Sequence, residues 1–539
     1  MSGIPRRAGS LGAVEERLID LLRADLDAAE YRTDAVEALL GQAADTARAR
    51  GVFAPARRVL AERDPSPLAT LVRVFLIGER VDAATLGEAL PALGAAGAIE
   101  LGLVSEDAAQ DPATGPEGGL RAALSLNPVR IADACAGREV EWRVISDLDD
   151  QLRRGPARPD HVMGVGGATR SLIAQAPPGI AQAPPGETAR CLDLGTGCGI
   201  VAMHLALRGP VVATDISERA LALARANARL NGVEGIEFRR GDLFAPVAGE
   251  RFELILSNPP FVITPREEGA PVYEYRDGGL AGDELAARVI REASAHLVPG
   301  GTLLCLANWE TPWGGNGLER VRGWVAEAAE AGEAGPLSGW VIERDRVSPE
   351  QYAETWARDG GARPGDPAFE AMLEAWLRDF AERRVVAIGL GSVRVRREPD
   401  GAAETLVHAE QAMGAFVDGA LVGSLIDRAF ACGIAAERMS DAEVLAERWV
   451  RDAAVVEERT HRPGEEDPTG IALVTDRPIA RRVAADTLLA AAIGACDGEL
   501  ALGQIADALA TILEVDADAA SEALVAGVRE LAWLGMLRR

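Results

Sequence analysis

Apolar residues recur at helical spacing over 13–24 and 33–48, and the chain opens on two amphipathic helices. LATLVRVFLIG (68–78) repeats that spacing, and VDAATLGEALPAL (81–93) places an Asp N-cap signal before another helix. LGAAGAIELGLV (93–104) reads as a helix end entering a strand, and GLRAALSLNPV (119–129) as a strand of a wing. Residues 66–126 together therefore suggest a winged-helix arrangement. The stretch 485–539 carries a similar three-helix pattern in TLLAAAIGAC, LGQIADALATIL and ADAASEALVAGVRELAWLGMLRR.

Between these ends the period changes. ARCLDL, GTGCG, IVAMHLALRG and PVVATD (189–215) run strand, glycine turn, helix, strand, a βαβ unit that implies a parallel sheet covered by helices. IEFRR and FELILS add two more strands, and alternating helix and strand patterns continue from 318 to 397. Breaks near 150 and 400, at DLDDQLRRGP and RREPDGAAE, divide the chain into 1–150, 151–400 and 401–539. The heptamer IAQAPPG occurs back to back at 173–179 and 180–186, and its proline content predicts an exposed loop.

The composition narrows the chemistry. The 539 residues hold 83 acidic and 56 basic side chains for a net charge of −27, and every basic residue is Arg. Without lysine there is no Schiff-base lysine and no phosphate-loop lysine. The three segments carry −9, −6 and −12, so the middle one is the least acidic per residue. Polyanion binders gain affinity from basic side chains, which disfavours a nucleic-acid partner on average. Six scattered Cys and five scattered His offer no metal-ligand spacing, and a reduced, cytoplasmic protein without a metal is expected. No apolar run reaches membrane-spanning length.

The candidate chemistry sits at the ends of the middle strands. Gly195, Gly197 and Gly199 would let the backbone approach a ligand closely, but Ile200 stands where a dinucleotide fingerprint needs its third glycine. Asp215 ends the second strand 22 residues after Asp193, where a carboxylate can accept both hydroxyls of a ribose. Asp242 ends the third strand, and the fourth runs directly into Asn258-Pro259-Pro260-Phe261. A planar amide or amino nitrogen is a poor nucleophile. Two acceptors, the Asn258 side-chain oxygen and the Pro259 carbonyl, would orient its two N–H bonds, with Phe261 as a stacking surface.

These motifs resemble the class I S-adenosylmethionine-dependent methyltransferases, in particular the release-factor glutamine methyltransferases and other small methyltransferase-domain enzymes. The resemblance implies a Rossmann-like seven-stranded α/β sheet, flanked by mainly helical domains. It also implies that Asp193, Gly195, Thr196, Gly197 and Gly199 hold the methionine part of the cofactor. Asp215 and Ile216 would take the ribose, Asp242 and Leu243 the adenine, and Asn258 with Pro259, Pro260 and Phe261 the methyl acceptor, Asn258 also contacting the cofactor. A protein glutamine amide is the expected acceptor. The alternatives are a nucleic-acid base amino group, a small molecule, and a winged-helix regulator whose core only senses cofactor. The family's Arg-Pro-Glu-Thr segment corresponds to HVMGVGGATRSL (161–172), where Thr169 matches and the preceding residues are Gly-rich. Tyr273, Tyr275 and Arg276 are further candidates for substrate contact, and Trp309 and Trp313 for a pocket wall. His204 reads as a helix-face residue, and Cys191 and Cys198 as packing.

Overall fold

The computed structural model describes residues 13–106, 119–133, 138–153, 158–180, 188–265, 279–331, 335–359, 364–399, 401, 404–412, 414–417 and 421–539. Its centre is a mixed α/β layer built on one eight-stranded sheet. The strands are β1 (Cys191–Leu194), β2 (Val211–Asp215), β3 (Ile236–Arg240), β4 (Phe252–Ser257), β5 (Leu297–Pro312), β6 (Leu337–Val347), β7 (Val385–Arg397) and β8 (Leu406–Gln411), in the spatial order β8-β6-β7-β5-β4-β1-β2-β3. Only β7 runs against its neighbours. Seven strands were expected. The eighth, β8, lies beyond residue 400 and pairs in parallel with β6 from Ser338↔Leu406 to Glu343↔Gln411.

The strands read as sheet because both faces are covered. Every residue of β4, FELILS, is buried, the continuous apolar pattern of a central parallel strand. The covering helices include α1 (Gly167–Gln175), α2 (Ile200–Leu205), α3 (Glu218–Asn231), α4 (Glu284–Ala293), α5 (Gly317–Glu330), α6 (Pro349–Asp359) and α7 (Pro367–Glu382). Helix α3 ends at Gly232, whose φ of 63° supplies the left-handed cap that stops a helix cleanly.

The amino-terminal helices form their own core around Leu22, Leu26, Tyr31, Phe75 and Leu86, which Ala226 and Leu230 of α3 complete. One expected helix, 33–48, is two, Thr33–Leu40 and Gln42–Ala49, because Gly41 turns the chain with a φ of 77°. Within 66–126, Asp82 caps the helix Ala83–Ala89 by accepting from the Thr85 N–H at 2.8 Å, and Val104–Glu106 pairs antiparallel with Leu120–Ala122. The hairpin Ser125–Asp133 and Arg138–Ser146 then crosses to the central sheet's helices. Asn227 and Asn231 of α3 clamp it. Asn227 Oδ1 accepts from Ile145 N–H at 2.7 Å and its Nδ2 donates to Ile145 O at 2.8 Å; Asn231 repeats the arrangement on Arg143. Strand-edge groups that would otherwise be buried unpaired are thereby satisfied.

Two expected loops are fixed parts of the fold. The first heptamer copy starts inside α1: Ile173, Gln175 and Ala176 are buried, Ser392 donates to Gln175 Oε1 at 2.9 Å, and Arg394 donates to Gln175 O at 2.7 Å. Helix Val422–Arg438 packs so closely there that a β-carbon on Gly423 would stand 2.0 Å from Ala176 O. Most of the second copy lies outside the described residues. At the expected boundary near 150, Asp147 is buried, accepting from Arg219 and from the Val162 N–H. In the carboxy-terminal part, Thr487–Ala495, Leu502–Leu513 and Ala517–Trp533 are helices, and Leu537–Arg538 pairs with Val450–Arg451. No described helix is long and apolar enough to cross a membrane.

Candidate active site at the strand ends

In a parallel sheet the carboxyl ends of the strands share one edge, where open α/β folds take their ligands. Strand register brings four of the sequence-predicted elements together there. Leu194 of β1 lies beside Thr214 of β2 and Ser257 of β4, and Asp215 lies beside Arg240 of β3. The glycine turn, Asp215–Ile216, Asp242–Leu243 and Asn258–Phe261 therefore emerge from adjacent strands, about 4.8 Å apart per step.

The glycine turn is held from below. Gly195 and Thr196 donate to Thr214 O at 3.0 and 2.9 Å, and Gly197 donates to Asp215 Oδ2 at 2.9 Å. Above Gly195 and Gly197 a β-carbon would meet nothing within 4 Å, whereas on Gly199 it would stand 2.8 Å from Ala224 Cβ. The first two glycines thus border open space at the sheet edge, and the third lets α2 start against α3.

Asp193 is buried and accepts from the Thr196 hydroxyl at 2.5 Å. Burial pushes its carboxyl from 3.8 up to about 7; the Thr196 bond opposes this and neighbouring Asp215 adds to it. Such a carboxylate stabilises a bound cation. Asp215 Oδ1 also accepts from Ser217 N–H at 2.8 Å. Ile216 is half exposed. Asp242 is paired with Arg288 of α4 at 3.0 Å, and Leu243 holds a φ of 42°, a left-handed conformation that costs a non-glycine residue roughly 1–2 kcal/mol.

Asn258 is the most informative residue. Its Nδ2 donates to Thr169 Oγ1 at 3.1 Å, while Oδ1 is buried without a hydrogen-bond partner. A lone buried acceptor costs about 1–3 kcal/mol, which a donor supplied from outside would recover. Pro259 is buried, and Phe261 is half-buried between the core under α2 and the aromatic cluster of Tyr352, Trp376 and Phe380. The Tyr352 hydroxyl accepts from Ile263 N–H at 3.0 Å and from Asn308 Nδ2 at 2.8 Å, steadying the segment after the motif.

The remaining candidates scatter. Tyr273, Tyr275 and Arg276 lie outside the described residues. Trp309 is fully buried and donates to Glu343 at 3.1 Å, so it is core, while Trp313 is 71% exposed. His204 is buried on α2, and burial holds its ring well below the ordinary histidine value. Cys191 and Cys198 are buried thiols raised to about 12 and about 11. Tyr352 carried no signal in the sequence, since its partners lie 44 and 89 residues away.

Residues 179–333 match the family described as the methyltransferase small domain. This segment is similar to a small methyltransferase domain. It contains β1 to β5 and every strand-end residue named above; residues 28–114 match a domain of unknown function. Over 132 residues the chain is 39% identical to the ribosomal protein uL3 glutamine methyltransferase of Bradyrhizobium diazoefficiens, covering 22% of this chain and 41% of that protein. Over 127 residues it is 42% identical to the release factor glutamine methyltransferase of Deinococcus radiodurans, covering 22% and 45%. The match spans under half of either relative. Among solved structures, ribosomal protein L11 methylase from Lactobacillus delbrueckii subsp. bulgaricus is similar at 18% identity over 44% of this chain and 82% of that one, with a TM-score of 0.24. The matched segment 179–333 therefore lies within a longer chain.

Proposed function

We propose that the protein is an S-adenosylmethionine-dependent N-methyltransferase whose acceptor is a glutamine side-chain amide of another protein. The observation that carries this is the buried, unpartnered Oδ1 of Asn258 at the edge that also bears the Gly195–Gly199 turn. The names of the two relatives support the glutamine amide as the acceptor.

The residues suit a cationic cofactor. Asp193 is a buried carboxylate with a second acid, Asp215, beside it, a pair that favours positive charge. Asp193 with Gly195, Thr196, Gly197 and Gly199 would hold the amino-acid end, Asp215 and Ile216 the ribose, and Asp242 with Leu243 the adenine. Binding adenine at Asp242 requires sharing or breaking its pair with Arg288. When bound, the cofactor supplies an electrophilic methyl group on a sulfonium.

This chain's part of the reaction is orientation. Asn258 Oδ1 and the Pro259 carbonyl accept the two N–H bonds of the amide and aim its nitrogen, while Phe261 shields one flank of the planar group. As the nitrogen gains its new bond it becomes positive before losing a proton, and the two acceptor oxygens stabilise that charge. Thr169 accepts from the Asn258 Nδ2 and so holds the plane of that amide, with Oδ1 on the opposite side.

The test supplies the purified protein and methyl-labelled cofactor with release factor and ribosomal protein uL3 from the same organism. Label should enter protein, resist nuclease and be removed by protease, and Asn258→Ala should slow its transfer about a hundredfold. Label that is nuclease-sensitive, or an Asn258→Ala variant as active as wild type, would overturn the reading.

A further inference from the structure

Beside this site lies a cavity that the cofactor and amide roles do not use. It measures about 350 Å³ and lies where the amino-terminal helices, the hairpin and the segment leading into α1 meet. That is room for one side chain or a few bridging groups. Its walls include Arg48, Asn127, Ser146, Gln151 and Arg170, with the backbone of Pro128. Arg170 follows Thr169 directly, so the residue that holds Asn258 and a residue of the cavity wall share one helical turn.

The donor set points to an anion. Arg170 donates Nη1 to Arg130 O at 2.8 Å and has no carboxylate within salt-bridge distance among the described residues. Arg170 is exposed on its outer side, and partial desolvation holds its guanidinium below the ordinary arginine value. Arg48 pairs with Asp45 through Nε and Nη2, at 2.8 and 2.7 Å, leaving Nη1 without a partner among the described residues. Asn127 and Gln151 add primary amides. The one carboxylate among the described lining residues, Asp149, is turned into its own loop, where Oδ1 accepts the N–H groups of Gln151 and Leu152 at 3.1 and 3.0 Å. The lining carries two Arg against one Asp in a chain of charge −27.

The hairpin wall of the cavity is clamped to α3 by Asn227 and Asn231. A site whose geometry is already held loses little entropy on binding.

We propose that this cavity is a carboxylate-binding site, and that it takes an acidic side chain of the acceptor protein near the residue presented to Asn258. Its identity as an acceptor subsite rests on the proposed methyl transfer to protein; the carboxylate site does not. Bidentate guanidinium–carboxylate pairing at Arg170 would fix the acceptor's register, and the amides would bind its backbone.

The test titrates the full-length protein calorimetrically with an acetylated, amidated tetraglutamate peptide at low ionic strength. Saturable uptake is expected, weakened tenfold or more in Arg170→Glu and in Ala49→Trp, which fills the cavity from an exposed helical position, and absent with the tetralysine analogue. No uptake by wild type, or wild-type uptake by both variants, overturns the carboxylate site. In the methylation assay the same variants should raise KM for the acceptor protein at least tenfold while kcat and S-adenosylhomocysteine affinity hold; an unchanged KM overturns the acceptor subsite. If wild type methylates neither release factor nor uL3, the functional reading fails and the peptide titration alone decides whether the carboxylate site exists.

Discussion

With Asp193 in the role proposed for it, its buried carboxylate should make cofactor binding depend on pH in a definite direction. Its carboxyl is raised from 3.8 to about 7 by burial, so at pH 6 about a tenth of the unliganded molecules carry the charge and at pH 7.5 about three quarters do. A ligand whose ammonium pairs with the ionised form should bind about eightfold more tightly at pH 7.5 than at pH 6, or ~1 kcal/mol. The same shift acts on stability. Because the folded state holds this proton more tightly than the unfolded chain, the contribution is fully present below pH 4. It is lost as pH rises toward 7, by about 4 kcal/mol without ligand. Calorimetry with S-adenosylhomocysteine in two buffers of different ionisation enthalpy reads both affinity and proton release, with about half a proton leaving at pH 7. Asp193→Asn should bind weakly at every pH and flatten the profile. Equal wild-type affinity at pH 6 and 7.5, with no proton released, would refute the role given to Asp193.

Thr169→Val removes one hydrogen bond to Asn258 and should lower kcat about fivefold to tenfold at constant cofactor affinity, with Thr169→Ser restoring most of it in steady-state assays. Gly199→Ala drives a methyl to 2.8 Å from Ala224 and should cost about 2–3 kcal/mol, read as a fall in Tm. Gly197→Ala meets no protein atom; it should cost about 1 kcal/mol of stability and weaken cofactor binding more than it lowers Tm. Asn258→Ala should reduce kcat about a hundredfold, the scale of losing a group that stabilises developing charge.

The parts of the fold legible in the sequence are those set by neighbours along the chain. The β1–α2–β2 unit follows from a period change and three glycines, and the strand-end residues follow because each strand announces its own end. What escaped depended on distant partners. The first IAQAPPG copy has the composition of a loop, yet Gln175 is bonded to Ser392 and Arg394, more than 200 residues on, and that contact decides its burial. Strand β8 lies past a stretch rich in Gly and Glu, and only its pairing with β6 makes it sheet. Asp147 looks like linker polarity until Arg219 is placed against it. Thr169 was visible as a match to a family pattern, but its work on Asn258 depends on a residue 89 positions away.

One side chain joins the two halves of the candidate site. Asn227 Nδ2 donates both to Ile145 O in the hairpin and, at 2.9 Å, to Cys198 O inside the glycine turn. The residue beneath the proposed cofactor position and the wall of the carboxylate cavity are thus bonded to the same amide. Helix α3 adds Ala224 against Gly199 on one flank and Arg229 against the amino-terminal helices on the other. A helix that packed only on the sheet would need no polar side chains at zero exposure; Asn227 is there because three backbone groups, two from Ile145 and one from Cys198, need partners. The flanking domain is therefore bonded to the same helix that holds the glycine turn. Its attachment through an amide and ion pairs, instead of apolar contact alone, fixes register as well as proximity, since an apolar face can slide whereas paired hydrogen bonds at Arg143 and Ile145 cannot.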